Sequence, residues 1–317
     1  MKMVLATLLL CAPTPMLAGS GVAGHTYSRG VQRFVHSGKR PMDFRVRSIT
    51  ARDRIRIYDV TYASALSGRV PAYVVIPDGK GPFAAVLFAH WAMEGSQTRN
   101  RTEFLDEAVA LAHAGAVCLL PDAPFARPGQ KEDSNPLSAK SISMFFQQIL
   151  DLRRGIEILT RRADVDKTRI GFVGHSYDAN AGGVLAGVDK RLKTLVLMAG
   201  GLADIESMDT LEFRKEAGNA TVDNYIRDYW WLDPAVYIPH AAPAAVFLQY
   251  GRKDPTLSEA SAHHYFEMLS EPKALKFYDA GHALDSAARR DRIAWLVEHL
   301  GLGSIPTAEI DRIPDTR

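Results

Sequence analysis

The hydrophobic positions along the chain fall into two repeating patterns. Residues 44–50 and 54–62 alternate charged and apolar side chains, which is typical of antiparallel strands with one face in water. Residues 70–76 follow as a third strand, which ends at a Pro-Asp-Gly turn. Six later segments are short and almost wholly apolar, as are strands covered by helices on both faces. These segments are residues 83–89, 116–120, 170–173, 195–198, 245–250 and 275–278.

Helical periodicity separates most of these strands. Apolar residues recur at three- and four-residue spacing over 104–112, 142–159 and 293–300. The pattern predicts an α/β fold, with a mostly parallel central sheet, antiparallel N-terminal strands and helices on both faces. Residues 202–240 contain no clear strand and are too long for a plain connection, so we predict a small helical cap insertion there. We expect residues 25–302 to form one domain and residues 303–317 to form a flexible tail.

Composition and charge narrow the classes of function. Hydrophobic residues make up 47% of the chain and charged residues 23%, which is typical of a globular protein. The formal net charge of +2 argues against binding to nucleic acid, which requires a basic surface. No apolar run approaches the roughly 18 to 20 residues of a spanning helix, so we expect no integral membrane association. The oligomeric state is not determined by the sequence.

Residues 1–24 have the layout of a secretory signal peptide. Lys2 supplies a positive charge, residues 3–10 an apolar run, and residues 18–23 a small-residue cleavage site. We therefore expect a secreted or periplasmic protein. The alternative is a cytoplasmic protein whose leader is not a signal.

The stretch 169–179 carries the clearest chemical signal. An apolar strand runs directly into Ser176, with Gly174 two residues earlier and a helix of small residues afterwards. This tight strand-to-helix turn is the nucleophile elbow, which exposes the serine oxygen. The helix N-terminus behind it offers backbone N–H groups and a positive dipole end, which stabilise a developing oxyanion.

Residues 45–300 resemble the α/β-hydrolase superfamily, and the elbow is similar to its dienelactone-hydrolase-like, prolyl-oligopeptidase-related branch. Gly-His-Ser-Tyr follows an Asp164-to-Gly171 lead-in of that type. Dienelactone hydrolase itself uses cysteine, so Ser176 groups this chain with the serine esterases. One position departs from the family pattern, because Asp178 replaces the second elbow glycine. We expect its carboxylate to accept free amides of the helix start, and a fixed anion there would slow the reaction.

The resemblance implies the chain order nucleophile, acid, histidine. Asp254 and His282 follow Ser176 in that order, each just after an apolar strand. Both would then stand at the carboxyl ends of parallel strands, where α/β sheets form their sites. Asp279 and Asp285 are the rival acids, although they lie too near His282 in sequence for the family layout.

A second oxyanion donor is expected in the loop that follows residues 83–89. In this resemblance His90 corresponds to the histidine of a His-Gly oxyanion loop, and Trp91 replaces the glycine. The candidate donors are the main-chain N–H groups of Trp91 and Tyr177. The alternative for Trp91 is packing in the core or the pocket wall.

These features predict a serine hydrolase that cleaves small-molecule carboxylic esters through an acyl-enzyme. The catalytic residues would be Ser176, Asp254 and His282, and we expect no cofactor and no metal ion. Two alternatives remain: a peptidase of the prolyl-oligopeptidase-related type, or a catalytically impaired ligand-binding protein because of Asp178. The sequence does not determine the acyl or alcohol group.

Overall fold

The computed structural model describes residues 27–35, 41–130, 135–200, 205 and 209–315. The expected leader at residues 1–24 lies outside them. Within the described residues, no helix is both long and apolar enough to cross a membrane.

In the described part of the chain, nine strands form one sheet in the order β1-β2-β3-β5-β4-β6-β7-β8-β9. Strands β1, β2, β3 and β5 pair antiparallel, and all pairs from β5 to β9 are parallel. The predicted α/β class and its antiparallel start are therefore confirmed. The strands are β1 (Arg45–Arg52), β2 (Ile55–Ala63), β3 (Arg69–Ile76), β4 (Phe83–Ala89), β5 (Ala116–Pro121), β6 (Val165–His175), β7 (Thr194–Met198), β8 (Ala245–Gly251) and β9 (Lys273–Tyr278).

Helices cover both faces of the sheet. One face packs against α3 and α4, and the other packs against α2 and α8. The helices are α1 (Tyr27–Arg33), α2 (Leu105–His113), α3 (Ala139–Arg161), α4 (Tyr177–Val188), α5 (Leu211–Ala217), α6 (Asn219–Tyr229), α7 (Glu259–Met268), α8 (Ser286–Leu300) and α9 (Thr307–Ile310).

The register of the parallel strands places the carboxyl ends of β4, β6, β7, β8 and β9 at the same edge of the sheet. Ala89 at the end of β4 lies beside Gly174 of β6, and Met198 at the end of β7 lies beside His175. In the same way, Gly251 at the end of β8 pairs with Tyr278 at the end of β9. The loops that follow these strands therefore emerge together at the carboxyl edge of the parallel sheet.

The described part of the segment between β7 and β8 is mostly helical, and its last turns pack against the main domain. After α5 and α6 come three 3₁₀ turns, at Trp230–Leu232, Pro234–Val236 and Ile238–His240. These turns pack into the main core: Trp231 and Tyr237 are buried, and both rings contact Phe34 edge to face. The turns at residues 234–240 pack against α4, so this part of the segment predicted as a cap at residues 202–240 lies on the main domain.

The C-terminal segment differs from the expected flexible tail. Helix α9 packs on α8 and α2, and Ile310 is buried. Arg289 of α8 donates hydrogen bonds to the carbonyl oxygens of Ile313 (2.6 Å) and Pro314 (3.0 Å). The described part of residues 303–317 is thus attached to the domain by both apolar and polar contacts.

Candidate active site

Ser176 occupies a sharp turn between β6 and α4. Its backbone adopts φ 54° and ψ −111°, which is unfavourable for a residue with a side chain. The turn closes tightly, because a Cβ at Gly174 would collide with the carbonyl oxygen of Asp178. A Cβ at Gly200 would likewise lie 2.5 Å from the carbonyl oxygen of Ser176. The tight turn leaves room only for glycine at these two positions.

The structure brings Ser176, His282 and Asp254 together. His282 Nε2 lies 2.8 Å from Ser176 Oγ, and His282 Nδ1 lies 2.7 Å from Asp254 Oδ2. Since an ionised carboxylate can only accept, Nδ1 carries a proton and donates a hydrogen bond to Asp254. Nε2 is then unprotonated and can accept a hydrogen bond from the serine hydroxyl. This is the arrangement in which an imidazole can remove a proton from an alcohol.

Thr256 holds the carboxylate of Asp254 from the other side. Its main-chain N–H and its hydroxyl both donate to Asp254 Oδ1, at 2.9 Å and 2.7 Å. Burial works against ionisation of Asp254, but the hydrogen bonds from His282 and Thr256 outweigh it and lower the pKa of this carboxyl. Asp254 is therefore negatively charged at neutral pH.

The two rival carboxylates have other partners. Asp279 is exposed and forms an ion pair with Lys253 at 2.9 Å. Asp285 caps α8 by accepting a hydrogen bond from the main-chain N–H of Ala288 at 2.9 Å.

His90 fixes the loop that follows β4. The main-chain N–H of Ala123 donates to His90 Nε2 at 2.9 Å, so Nδ1 must carry the proton that it donates to the Trp91 carbonyl at 2.9 Å. Burial lowers the pKa of His90 to about 4, so the ring stays neutral. Because a trans peptide directs its N–H opposite to its C=O, His90 also orients the main-chain N–H of Ala92.

The expectation for Trp91 as an oxyanion donor requires correction. Its main-chain N–H donates to Glu103 Oε2 at 2.7 Å and is therefore occupied. The N–H of Ala92, one residue later, has no hydrogen-bond acceptor within the described residues. Tyr177, the other candidate donor, is the first residue of α4, and its N–H belongs to the helix end beside Ser176.

Asp178 also differs from its expected role. Its side chain is fully buried and accepts two hydrogen bonds from Gln148 Nε2 of α3, at 2.9 Å and 3.0 Å, instead of capping the helix start. Burial raises the pKa of Asp178 well above its usual range, against the opposing effect of Gln148, and nearby Glu103 adds to the rise. Burial thus shifts Asp178 towards the neutral acid, which works against the fixed anion beside the oxyanion that the sequence suggested.

An apolar wall adjoins the candidate nucleophile. The Tyr177 ring packs edge to face on Phe125 and on Phe145, with 5.2 Å between ring centres in each pair. Phe125 also packs with Met144, and Ala92 lies against the same cluster. A substrate that reached Ser176 would therefore meet apolar side chains on the side where Tyr177 lies.

Sequence reasoning missed Thr256, Ala92, Glu103 and Gln148. An Asp-Pro-Thr turn signal could have revealed Thr256, since a threonine two residues after an aspartate often bonds to it. The other three have no local signal. Their roles depend on partners from distant parts of the chain.

Comparisons with known proteins give a clear result only at the level of structure. No protein-family model matches the sequence, and a comparison with curated proteins finds no significant match. Among solved structures, an acetyl xylan esterase from Paenibacillus sp. R4 is 17% identical with a TM-score of 0.69, covering 90% of this chain and 97% of that one.

Two further solved structures are similar. Acetyl xylan esterase 1 from Thermoanaerobacterium sp. JW/SL YS485 is 16% identical with a TM-score of 0.69, over 86% of this chain and 93% of that one. The α/β hydrolase GrgF from Penicillium sp. sh18 is 16% identical with a TM-score of 0.57, over 77% and 99%. These likenesses show that the chain has the α/β-hydrolase fold.

Proposed function

We propose that this protein hydrolyses carboxylic esters through an acyl-enzyme on Ser176. The observation that carries the proposal is the position of His282, which bonds to Ser176 Oγ at 2.8 Å and to Asp254 Oδ2 at 2.7 Å. A serine at a strained elbow, bonded to a histidine that is in turn bonded to a carboxylate, is the arrangement used for acyl transfer on this fold. The esterase titles of the two acetyl xylan esterase structures support the same reaction class.

The reaction follows from the proton positions. Ser176 Oγ attacks the acyl carbon while its proton passes to His282 Nε2, and the resulting imidazolium is stabilised by Asp254. Collapse of the tetrahedral intermediate expels the alcohol, which takes the proton from Nε2. Water then attacks the acyl-enzyme, His282 accepts a proton from it and returns that proton to Ser176, and the carboxylic acid leaves.

Two main-chain amides would stabilise the oxyanion. Tyr177 supplies one from the start of α4, where the helix dipole is positive. Ala92 supplies the other, because its N–H has no acceptor within the described residues and its peptide is held by His90. This assignment replaces Trp91, whose N–H is bound to Glu103.

Acetyl and other short acyl esters are the first substrates to test, because the two structures with the highest TM-scores quoted above are acetyl xylan esterases. The test uses p-nitrophenyl esters of increasing chain length, together with a fluorophosphonate probe and mass spectrometry of the labelled peptide. We expect hydrolysis, labelling at Ser176, and loss of both in Ser176→Ala. Folded protein that neither turns over nor labels would favour the ligand-binding alternative, and cleavage of peptides but not esters would favour the peptidase.

A further inference from the structure

A buried histidine and a buried glutamate connect the loops of the proposed active site. His175 immediately precedes Ser176 at the end of β6, and its side chain is fully buried. Its Nε2 lies 2.9 Å from the main-chain carbonyl oxygen of His282, and its Nδ1 lies 2.5 Å from Glu103 Oε1. The second oxygen of Glu103 accepts the N–H of Trp91 at 2.7 Å.

The hydrogen-bond partners determine where the protons are. A carbonyl oxygen only accepts, so His175 Nε2 must donate to His282. The contact between His175 Nδ1 and Glu103 Oε1 then holds one further proton, on the ring or on the carboxyl. In either case the pair is neutral as a whole. Three hydrogen bonds therefore connect four residues in a continuous chain, which runs from His282 through His175 and Glu103 to Trp91.

Ring packing reinforces the same connection. The Trp91 indole stacks on the His175 imidazole with 4.9 Å between centres and 20° between planes. The His282 ring stacks on His175 at 5.5 Å and 29°. His175 is therefore in contact with both the proposed base and the loop that carries the proposed oxyanion amide.

We propose that Glu103 and His175 are positioning residues, which hold the main chain of His282 and residues 90–92 in register around Ser176. The pair acts through hydrogen-bond geometry and not through net charge. This inference rests on the proposed function, since it concerns the same site. A displacement of about 1 Å at a reacting group costs roughly 100-fold in rate, so a device that fixes two loops at once has a measurable effect.

The geometry suggests three substitutions that separate bonding from charge. In Glu103→Gln, the amide oxygen can accept from Trp91 and the amide NH₂ can donate to a neutral His175, which still donates to His282. Every hydrogen bond is thus kept without a carboxylate. Glu103→Asp keeps the carboxylate but is one methylene too short to reach both partners. Glu103→Leu removes the bonds and the carboxylate together.

Glu107 offers a matched control on the same side of the sheet. It is also a buried glutamate, but its carboxylate binds Arg292 of α8, with 2.8 Å between Oε2 and Nε. Glu107→Leu therefore removes a buried carboxylate without touching the loops of the site. It tests whether loss of stability alone changes the rate.

The experiment measures kcat and KM per active site, after titration with the fluorophosphonate, and also the rate constant for labelling of Ser176. We expect Glu103→Asp and Glu103→Leu to lower kcat by about 30- to 100-fold with KM within about three-fold. Glu103→Gln should stay within about five-fold of the wild type, and Glu107→Leu should lower the melting temperature but not kcat per site.

Two results would overturn the inference. Equal impairment of Glu103→Gln and Glu103→Asp would assign the effect to charge, and near-normal Glu103→Asp would show that the bridge is dispensable. Neither result depends on Glu103→Leu, so the inference can be tested even if that variant does not fold. Wild-type protein that labels at Ser176 but hydrolyses no ester would refute the proposed function alone, because labelling rates still test the pair. Wild-type protein that does neither would refute both.

Discussion

The hydrogen-bond partner of His282 identifies which carboxylate is the acid of the proposed triad. Its Nδ1 donates to Asp254, whereas Asp279 is paired with Lys253. In Asp254→Asn the amide NH₂ can donate to Nδ1, which leaves the proton on Nε2 and prevents that atom from accepting from Ser176. We expect kcat to fall by about three to four orders of magnitude.

The matched control is Asp279→Asn, which removes an exposed ion pair outside the triad. Such pairs contribute roughly 0–1 kcal/mol to stability, and we expect little change in kcat. Steady-state kinetics on a short-chain ester compare the two variants. Near-full activity in Asp254→Asn, with loss in Asp279→Asn, would move the acid to Asp279.

Asp178 provides a prediction about pH and stability. Its pKa is raised by burial in the folded protein, so the unfolded chain releases this proton at lower pH than the folded one. Between the unfolded value near 3.8 and the raised folded value, the folded state binds more protons, and stability falls as pH rises.

Asp178→Asn removes this titrating group, and with it the contribution of Asp178 to the pH dependence of stability. We expect the melting temperature of the variant, relative to the wild type, to increase from pH 4 towards pH 8. Because the neutral acid and the amide carry the same charge, kcat/KM should stay within about five-fold. Thermal unfolding across pH checks the first expectation. A difference that shrinks as pH rises would mean that Asp178 is ionised in the folded protein.

At the scale of elements, the C-terminal helix α9 is part of the domain. Ile310 is buried, and the segment beyond it supplies carbonyl acceptors to the buried Arg289. Ending the chain at Pro306 removes both kinds of contact. Burial of one isoleucine alone contributes about 1.5–3 kcal/mol, so for a domain of this size we expect the melting temperature to fall by roughly 3–5 °C.

The control ends the chain at Asp315, which keeps Ile310 and the acceptors of Arg289. This truncated chain should have the same melting temperature as the full chain. Calorimetry or circular dichroism measures both truncations. Equal melting temperatures for all three chains would restore the flexible tail that the sequence suggested.

The close approach of β6 and α4 at the elbow restricts which residues fit on either side of Ser176. Strand β6 and helix α4 meet so closely that Gly174 contacts the main chain of Asp178. The second elbow position tolerates aspartate because its side chain points to Gln148 of α3, where it is buried and hydrogen-bonded. An aspartate at this position is therefore accommodated by packing between two helices.

At the scale of the whole molecule, we propose export on the basis of residues 1–24, which lie outside the described structure. Lys2, the apolar run and the small residues at 18–23 form a signal-peptide pattern. Intact-mass measurement of protein from the native host should show loss of about the first 18 to 24 residues.

A variant with Leu8→Arg interrupts the apolar run and should remain at full length. Recovery of unprocessed wild-type chain from the cytoplasmic fraction would contradict export. The result for export does not affect the test of ester hydrolysis, since the proposed site lies entirely within residues 90–282.

Much of this architecture was predictable from the sequence because its signals are local. Each strand carries its own alternation or apolar run, and all nine appear where the pattern predicted them. The elbow at Ser176 is also local, since a glycine, a buried strand and a helix of small residues lie within a few positions. Asp254 and His282 could be chosen as candidates because each directly follows a predicted strand.

Only the tertiary structure decided which partners the polar groups take. The sequence favoured the N–H of Trp91 as an oxyanion donor, but this N–H donates a hydrogen bond to Glu103 Oε2 at 2.7 Å. The sequence suggested that Asp178 caps the helix start, but it bonds to Gln148, 30 residues away in sequence, in a buried site that raises its pKa. The physical reason is the same in both cases. A hydrogen bond and a pKa depend on what lies within a few ångströms, and that neighbourhood exists only once the chain has folded.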